Sequence, residues 1–305
     1  MRPVASRVSP APPDIPPGPC TIGMQERADL RPLNENFTSW AHLTAVIDPS
    51  LTVGEGVLVG PYAMIGEKVT LGDGTQVAGH AQLAGWTVVG RNARIFPYCV
   101  LGSVPQDLKF SGCPSWVEIG DDNTFREFVT VNRATGEGAR TTVGSRNLIM
   151  AYVHIAHDCH VGDETILANA ATLAGHVTIE SGAAVGGLTP IHQFVRIGRQ
   201  AFVGGGSRVS KDVPPYVRAA GNPLRVVGLN SIGLERRGVP EDVRMELKRA
   251  YRLLYRSSLN VTQALVRMES ELRPLPEIRT FIDHWVAGLH GQGLQFFQTR
   301  LVVAP

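Results

Sequence analysis

From Ile47 to Val209, residues at six-residue steps are almost all apolar. There are 28 positions at six-residue steps from Ile47 to Val209, and 25 of them are aliphatic or Phe. The exceptions are Asp107, Cys113 and Glu137. The residue after such a position is often glycine, as at Gly54, Gly60, Gly66, Gly72, Gly90, Gly144, Gly162, Gly186 and Gly198. An amphipathic helix repeats every 3.6 residues and a strand every two, so neither produces this spacing. A fixed short period instead means a solenoid, in which each repeat is stabilised mainly by its neighbours.

Hexads of the form aliphatic-Gly-x-x-small-x resemble the left-handed parallel β-helix proteins, also called hexapeptide-repeat proteins. The resemblance implies an all-β solenoid in which three hexads make one triangular coil of 18 residues. The aliphatic side chain points inward, and coils stack at about the inter-strand spacing of 4.8 Å. The breaks in the period predict two loops extruded from the coils, over 102–117 and 132–142. Long loops on a rigid scaffold often carry function.

The period ends after Val209, and the prolines of KDVPPYVRAAGNP close the regular element. Val243, Leu247, Tyr251 and Leu254 then recur at helical spacing within 241–258, and LNVTQALVRMESEL and EIRTFIDHWVAGL read as further helices. The expected organisation is a solenoid over 39–224 and a small α-helical domain over 225–305. Residues 1–38 begin with a proline-rich run, have few apolar side chains to offset chain entropy, and are expected to be disordered. A true start at Met24 is the other reading of this segment.

Composition narrows the function. With 18% charged residues and a net charge of +2, no global basic excess points to nucleic acid. The chain has no apolar run of about 18 residues, so no membrane span is expected, and its start lacks the apolar core of a secretory signal. The four cysteines, Cys20, Cys99, Cys113 and Cys159, form no Cys-x-x-Cys pair, which fits a reducing, cytoplasmic compartment.

The stretch HIAHDCHVG places His154, His157 and His160 at intervals of three. On an 18-residue coil His154 and His160 fall on different sides of the triangle, so the three do not converge on one metal. Stacking by 18 instead sets Gly175 over His157 and His176 over Asp158. An outward His beside an Asp has the make-up of a general base with its orienting carboxylate. A glycine above it can offer a bare backbone N–H to a developing oxyanion. Surface histidines without a role fit the same spacing.

Further motifs carry a more specific resemblance. QDLK (106–109), VHIAHDCHVG (153–162), ILANAATLAGHV (166–177), IHQF (191–194), DVPPYV (212–217) and GLNSIGLERRG (228–238) occur in this order within 42–260. Together they resemble the acyl-carrier-protein–UDP-N-acetylglucosamine O-acyltransferases that begin lipid A synthesis. The resemblance implies transfer of a 3-hydroxyacyl chain to the sugar 3-hydroxyl. It makes His157 the general base, Asp158 its orienting carboxylate and Gly175 the oxyanion donor. It makes His154, His176, His192, Gln193, Asp107 and Lys109 substrate contacts. Asn230 and Arg236 fall in the region that meets nucleotide phosphate or carrier protein, and Gly205 falls at the acyl-chain ruler, where glycine implies an open groove. The implied partners are acyl carrier protein, UDP-N-acetylglucosamine and two further copies in a homotrimer, with no cofactor and no metal. Lys248, Arg249, Arg252 and Arg256 are candidate contacts for an acidic carrier protein. Ile232 stands where some relatives carry an acidic residue.

Three rivals use the same features. A trimeric hydratase of the γ-carbonic-anhydrase type would use the histidines as zinc ligands. A later N-acyltransferase of the same pathway would need an N-terminal uridine-binding domain. A structural solenoid would leave IHQF and QDLK without a role.

Overall fold

A computed structural model describes residues 29–36 and 38–289. Short parallel strands, mostly of two residues, stack into three faces of a left-handed parallel β-helix. The first face has twelve strands, including its end caps, and the second and third have eight each. The six-residue period is the inward-pointing set. Leu71, Leu83, Ile95, Leu101, Ile149, Ile155, Leu167, Leu173 and Ile179 are among the largest fully buried side chains. Each coil therefore buries one aliphatic residue per face against the coils above and below, which is the repeating unit of stability.

The register explains why the period survives the loops. Leu58 pairs with Gln76, an offset of 18 residues. Val88 pairs with Glu118, an offset of 30, and Glu118 with Thr142, an offset of 24. The first loop thus adds about twelve residues and the second about six to one coil's repeat. Both additions are whole hexads, so the inward phase resumes unchanged. The residues between strands are 104–115 and 133–139, shorter than the expected loops because Val100–Ser103, Trp116–Ile119 and Arg140–Val143 lengthen into them.

Corners are built from residues in the left-handed region of φ. At the corner between the first and second faces this column includes Tyr62, His80, Tyr98, Phe128 and Tyr152. Their rings stack with centroids 4.8 to 5.2 Å apart, matching the rise per coil. At the corner between the second and third faces the column includes Lys68, Trp86, Asp158, His176 and Phe194. Both extruded loops leave from this second corner, in the coils just before His157.

The edges of the first face are capped by antiparallel strands. Leu30–Pro32 pairs with Trp40–His42 at one end, and Arg225–Leu229 with Val217–Ala220 at the other. The capping strand at Leu30–Pro32 falls within the segment expected to lie outside the solenoid. Residues 1–28 and 37 of that segment lie outside the described residues. At the far end, β structure runs past the expected boundary at 224 to Leu229.

Four helices follow: α1 (Ser231–Arg236), α2 (Glu241–Tyr255), α3 (Val261–Glu271) and α4 (Pro276–Leu289). Leu247, Tyr251 and Leu254 form the buried stripe of α2, as their spacing predicts, and Val243 is half-buried beside them. Asn260 and Gln263 close a reciprocal capping box at the start of α3. The short α1 was not among the expected helices.

Candidate active site

His157 and Asp158 occupy the second corner between strands His154–Ile155 and His160–Val161. Asp158 has φ +57°, a conformation that a short polar residue tolerates. The corner turns its backbone N–H to the Thr141 hydroxyl at 2.8 Å and its carboxylate to the His157 ring. His157 Nδ1 and Asp158 Oδ2 are 2.8 Å apart. The carboxylate accepts, so Nδ1 carries the proton and Nε2 presents a lone pair.

The second loop holds the same carboxylate. Thr135 donates from its hydroxyl to Asp158 Oδ2 at 2.7 Å and from its amide to both oxygens at 3.2 and 3.3 Å. Burial on its own would raise the Asp158 carboxyl. The hydrogen bonds from Thr135 and His157 outweigh it and hold the group below its ordinary value. The first loop brings Asp107 over the ring, with Oδ2 3.9 Å from His157 Nε2. Asp107 also accepts from the Lys109 amide at 2.8 Å, a turn that leaves the Lys109 side chain exposed.

Gly175 stands one coil above His157, as the 18-residue stacking predicts. A Cβ built at 175 would fall 2.6 Å from His157 Nε2, so the imidazole occupies the space a side chain would need. The Gly175 N–H has no acceptor among the described residues. Its neighbours Ala174 and His176 donate to Ile191 and His157 carbonyls, each at 3.1 Å. His176 sits edge-on to His157, with Nε2 3.9 Å from Asp158 Oδ2, and its other side stacks on Phe194 at 4.6 Å.

The remaining histidines separate as expected. His154 lies outward on the second face, its Nδ1 2.7 Å from the Thr130 hydroxyl. Burial, and then the neighbouring His157, lower its pKa. His160 lies on the third face against Thr142, on the other side of the corner. His192 and Gln193 are exposed at the second corner two coils above His157. Gly205 stands against Gly187 at the first corner, across the second face.

Asn230 and Arg236 are not brought to this patch within one chain. Asn230 caps α1 and donates to the Gln200 carbonyl at 2.9 Å, and Gln200 belongs to the third corner. The adjacent Arg237 pairs with Glu164 at that same corner. Ile232 is exposed on α1.

His157, Asp158 and His176 each offer a ligand atom, all within 4.8 Å of one another. The 2.8 Å bond between His157 and Asp158 orients the ring and leaves Nε2 free, the arrangement of an oriented base. Thr135, Thr141, Thr130 and Phe194 are site residues that spacing did not indicate. The second loop was flagged as a functional insertion, but its internal conformation lies outside the hexad rule.

Residues 212–291 match the family described as Udp N-acetylglucosamine O-acyltransferase, Domain 2. Residues 50–85 and 140–175 match the bacterial transferase hexapeptide family, and the stretch between them carries both loops. The acyl-[acyl-carrier-protein]–UDP-N-acetylglucosamine O-acyltransferase of Herminiimonas arsenicoxydans is 48% identical over 253 residues, covering 80% of this chain and 97% of the relative. The chain belongs to this acyltransferase family. A second member, from Gloeothece citriformis, is 53% identical over 186 residues, 61% of this chain and 67% of the relative. Among solved structures, the acyltransferase LpxA of Acinetobacter baumannii superposes with a TM-score of 0.77 at 43% identity, over 80% of this chain and 95% of that one. The Arabidopsis UDP-N-acetylglucosamine acyltransferase does so with a TM-score of 0.72 at 34% identity, over 87% and 100%.

Proposed function

We propose that this acyltransferase moves a 3-hydroxyacyl chain from acyl carrier protein to the 3-hydroxyl of UDP-N-acetylglucosamine, the first step of lipid A synthesis. The observation that carries the mechanism is the His157–Asp158 pair at 2.8 Å with Nε2 left free beneath an unpaired Gly175 N–H.

His157 Nε2 takes the proton of the sugar hydroxyl as its oxygen attacks the thioester carbonyl. Asp158, held in its ionised form, stabilises the imidazolium. The Gly175 N–H receives the oxyanion of the tetrahedral intermediate. Collapse breaks the C–S bond, and His157 returns the proton to the departing thiolate. Nε2 and Asp107 Oδ2, 3.9 Å apart, are both acceptors, so the reacting hydroxyl gives its one proton to Nε2 and Asp107 is left for another donor on the sugar. General-base help contributes roughly 10²–10⁴ in rate and one oxyanion donor roughly 10²–10³. The thioester is already activated, so the scheme needs no metal or cofactor. His154, His176, His192, Gln193 and Lys109 surround the patch as substrate contacts, and Gly205 marks the end of an acyl groove along the second face.

The working form is a homotrimer. Asn230 and Arg236 sit at the third corner, while His157 sits at the second. Head-to-tail contact between copies brings the third corner of one against the second corner of the next, and three such contacts close a ring. Lys248 and Arg252 lie one turn apart on the exposed side of α2, with exposed Arg256 at its C-cap, a set suited to an acidic carrier protein. Arg249 is instead tied to Glu246 at 2.9 Å. Among the described residues no helix is long and apolar enough to cross a membrane, and the three described cysteines are unpaired, which supports a cytoplasmic enzyme.

The test is a panel of acyl carrier proteins loaded with different chains, offered UDP-N-acetylglucosamine or its 3-amino analogue, with products read by mass spectrometry. The proposal expects an O-acylated sugar nucleotide and one preferred chain length. Product from the 3-amino acceptor alone, or no acyl transfer with stoichiometric zinc in the protein, would overturn it.

A further inference from the structure

We infer that Thr135, in the second extruded loop, is a positioning residue that acts on His157 through Asp158. The inference rests on the reading of His157 and Asp158 as the catalytic pair. In that pair the His157 ring supplies one hydrogen bond, to Asp158 Oδ2. One bond leaves a carboxylate free to turn about its Cβ–Cγ bond. Thr135 removes that freedom, because its hydroxyl donates to the same Oδ2 and its amide reaches both oxygens.

The loop is itself fastened so that Thr135 arrives in this pose. The Ser115 hydroxyl donates to the Ala134 carbonyl at 2.5 Å, and the Cys113 thiol to the Thr135 carbonyl at 3.1 Å. The Gly138 amide donates to the Pro114 carbonyl at 2.8 Å. The Arg133 guanidinium lies over the Phe110 ring. Thus the first loop, which carries Asp107, braces the second, which carries Thr135. The two insertions in the coil form one device around the base: Asp107 faces Nε2, and Thr135 fixes the partner of Nδ1. A second-loop insertion of a whole hexad places this grip without disturbing the phase of the coils above it.

The experiment measures kcat and KM of the full-length enzyme with acyl carrier protein donor and UDP-N-acetylglucosamine. The variants are Thr135→Val, Thr135→Ser, Asp158→Ala and the double variant Thr135→Val/Asp158→Ala. Loss of the hydroxyl's hydrogen bond to a charged group predicts a fall in kcat of about 10-fold for Thr135→Val, with KM for the sugar nucleotide unchanged. Thr135→Ser keeps the hydroxyl and restores most of the rate. In the Asp158→Ala background Thr135→Val has no further effect, because the group it positions is gone. Wild-type kcat in Thr135→Val, or the same fold-loss in both backgrounds, overturns the inference. If Thr135→Val does not fold, Thr135→Ala is held to the same two results. Wild-type activity in Asp158→Ala would instead sink the catalytic pair itself, so the two failures are distinguishable.

Discussion

The Cα of Gly175 lies against the His157 imidazole so closely that a Cβ at 175 would stand 2.6 Å from Nε2. The glycine is therefore needed for space, since its φ is not in the left-handed region. Gly175→Ala should leave the coils folded and push the ring out of line. Misplacement of a reacting group by about 1 Å can cost about 10² in rate. Turnover should fall by that order while the melting temperature stays close to that of the parent. Unchanged turnover would show that the ring has room to yield.

Salt and charge reversal test the basic set on α2. Lys248, Arg252 and Arg256 are exposed and make no ion pair among the described residues. Reversing all three to Glu should raise KM for the acyl carrier protein about 10-fold and leave kcat unchanged. Raising ionic strength should do the same to the parent enzyme and little to the variant. A salt-independent KM in the parent would place the carrier protein elsewhere.

Acid should loosen the helical domain through His284. This side chain is buried in α4, and burial followed by the Arg196 charge pushes it down to about 3 from 6.5. Its folded pKa lies below its unfolded one, so the stability it contributes is present above about 6.5 and is lost as pH falls toward 3. Asp158, also depressed, adds loss in the same direction at lower pH. Asp212 is raised to about 6 by burial and works the other way: its contribution is present below about 4 and fades as pH rises through 6. His284→Phe should therefore lose less melting temperature than the parent between pH 6.5 and 4. Equal losses would remove His284 from the account.

The hexad rule makes a prediction about deletion. Removing six residues of the second loop, 133–138, restores the 18-residue offset across that coil and keeps the inward phase, so the protein should fold. It should be inactive, because Thr135 and the brace of the first loop go with it. Removing four residues instead shifts the phase of the connection and should destabilise the solenoid. Circular dichroism and melting curves of the two deletions, side by side, distinguish these outcomes.

What was legible in the sequence follows from what is periodic. One aliphatic residue per hexad set the inward phase, and the resemblance to hexapeptide-repeat proteins supplied the three faces and the 18-residue coil that stack Gly175 on His157 and His176 on Asp158. The same rule separated His160 from the patch. The helices at 241–255, 261–271 and 276–289 were also readable, because each has an apolar stripe. The loops were visible only as breaks. Their inner contacts, such as Thr135 on Asp158 or Asp107 over Nε2, depend on two insertions packing on each other, and no local spacing encodes that. The capping strand at Leu30–Pro32 was missed for a similar reason: its pairing is set by the open edge of the first coil and not by its own pattern.

The rate of His157→Ala, measured with acyl carrier protein donor and UDP-N-acetylglucosamine on protein shown to keep its oligomeric state, tests the general base most directly. Loss of the general base should cut turnover by at least about 10². Turnover near that of the parent would contradict the assignment of His157.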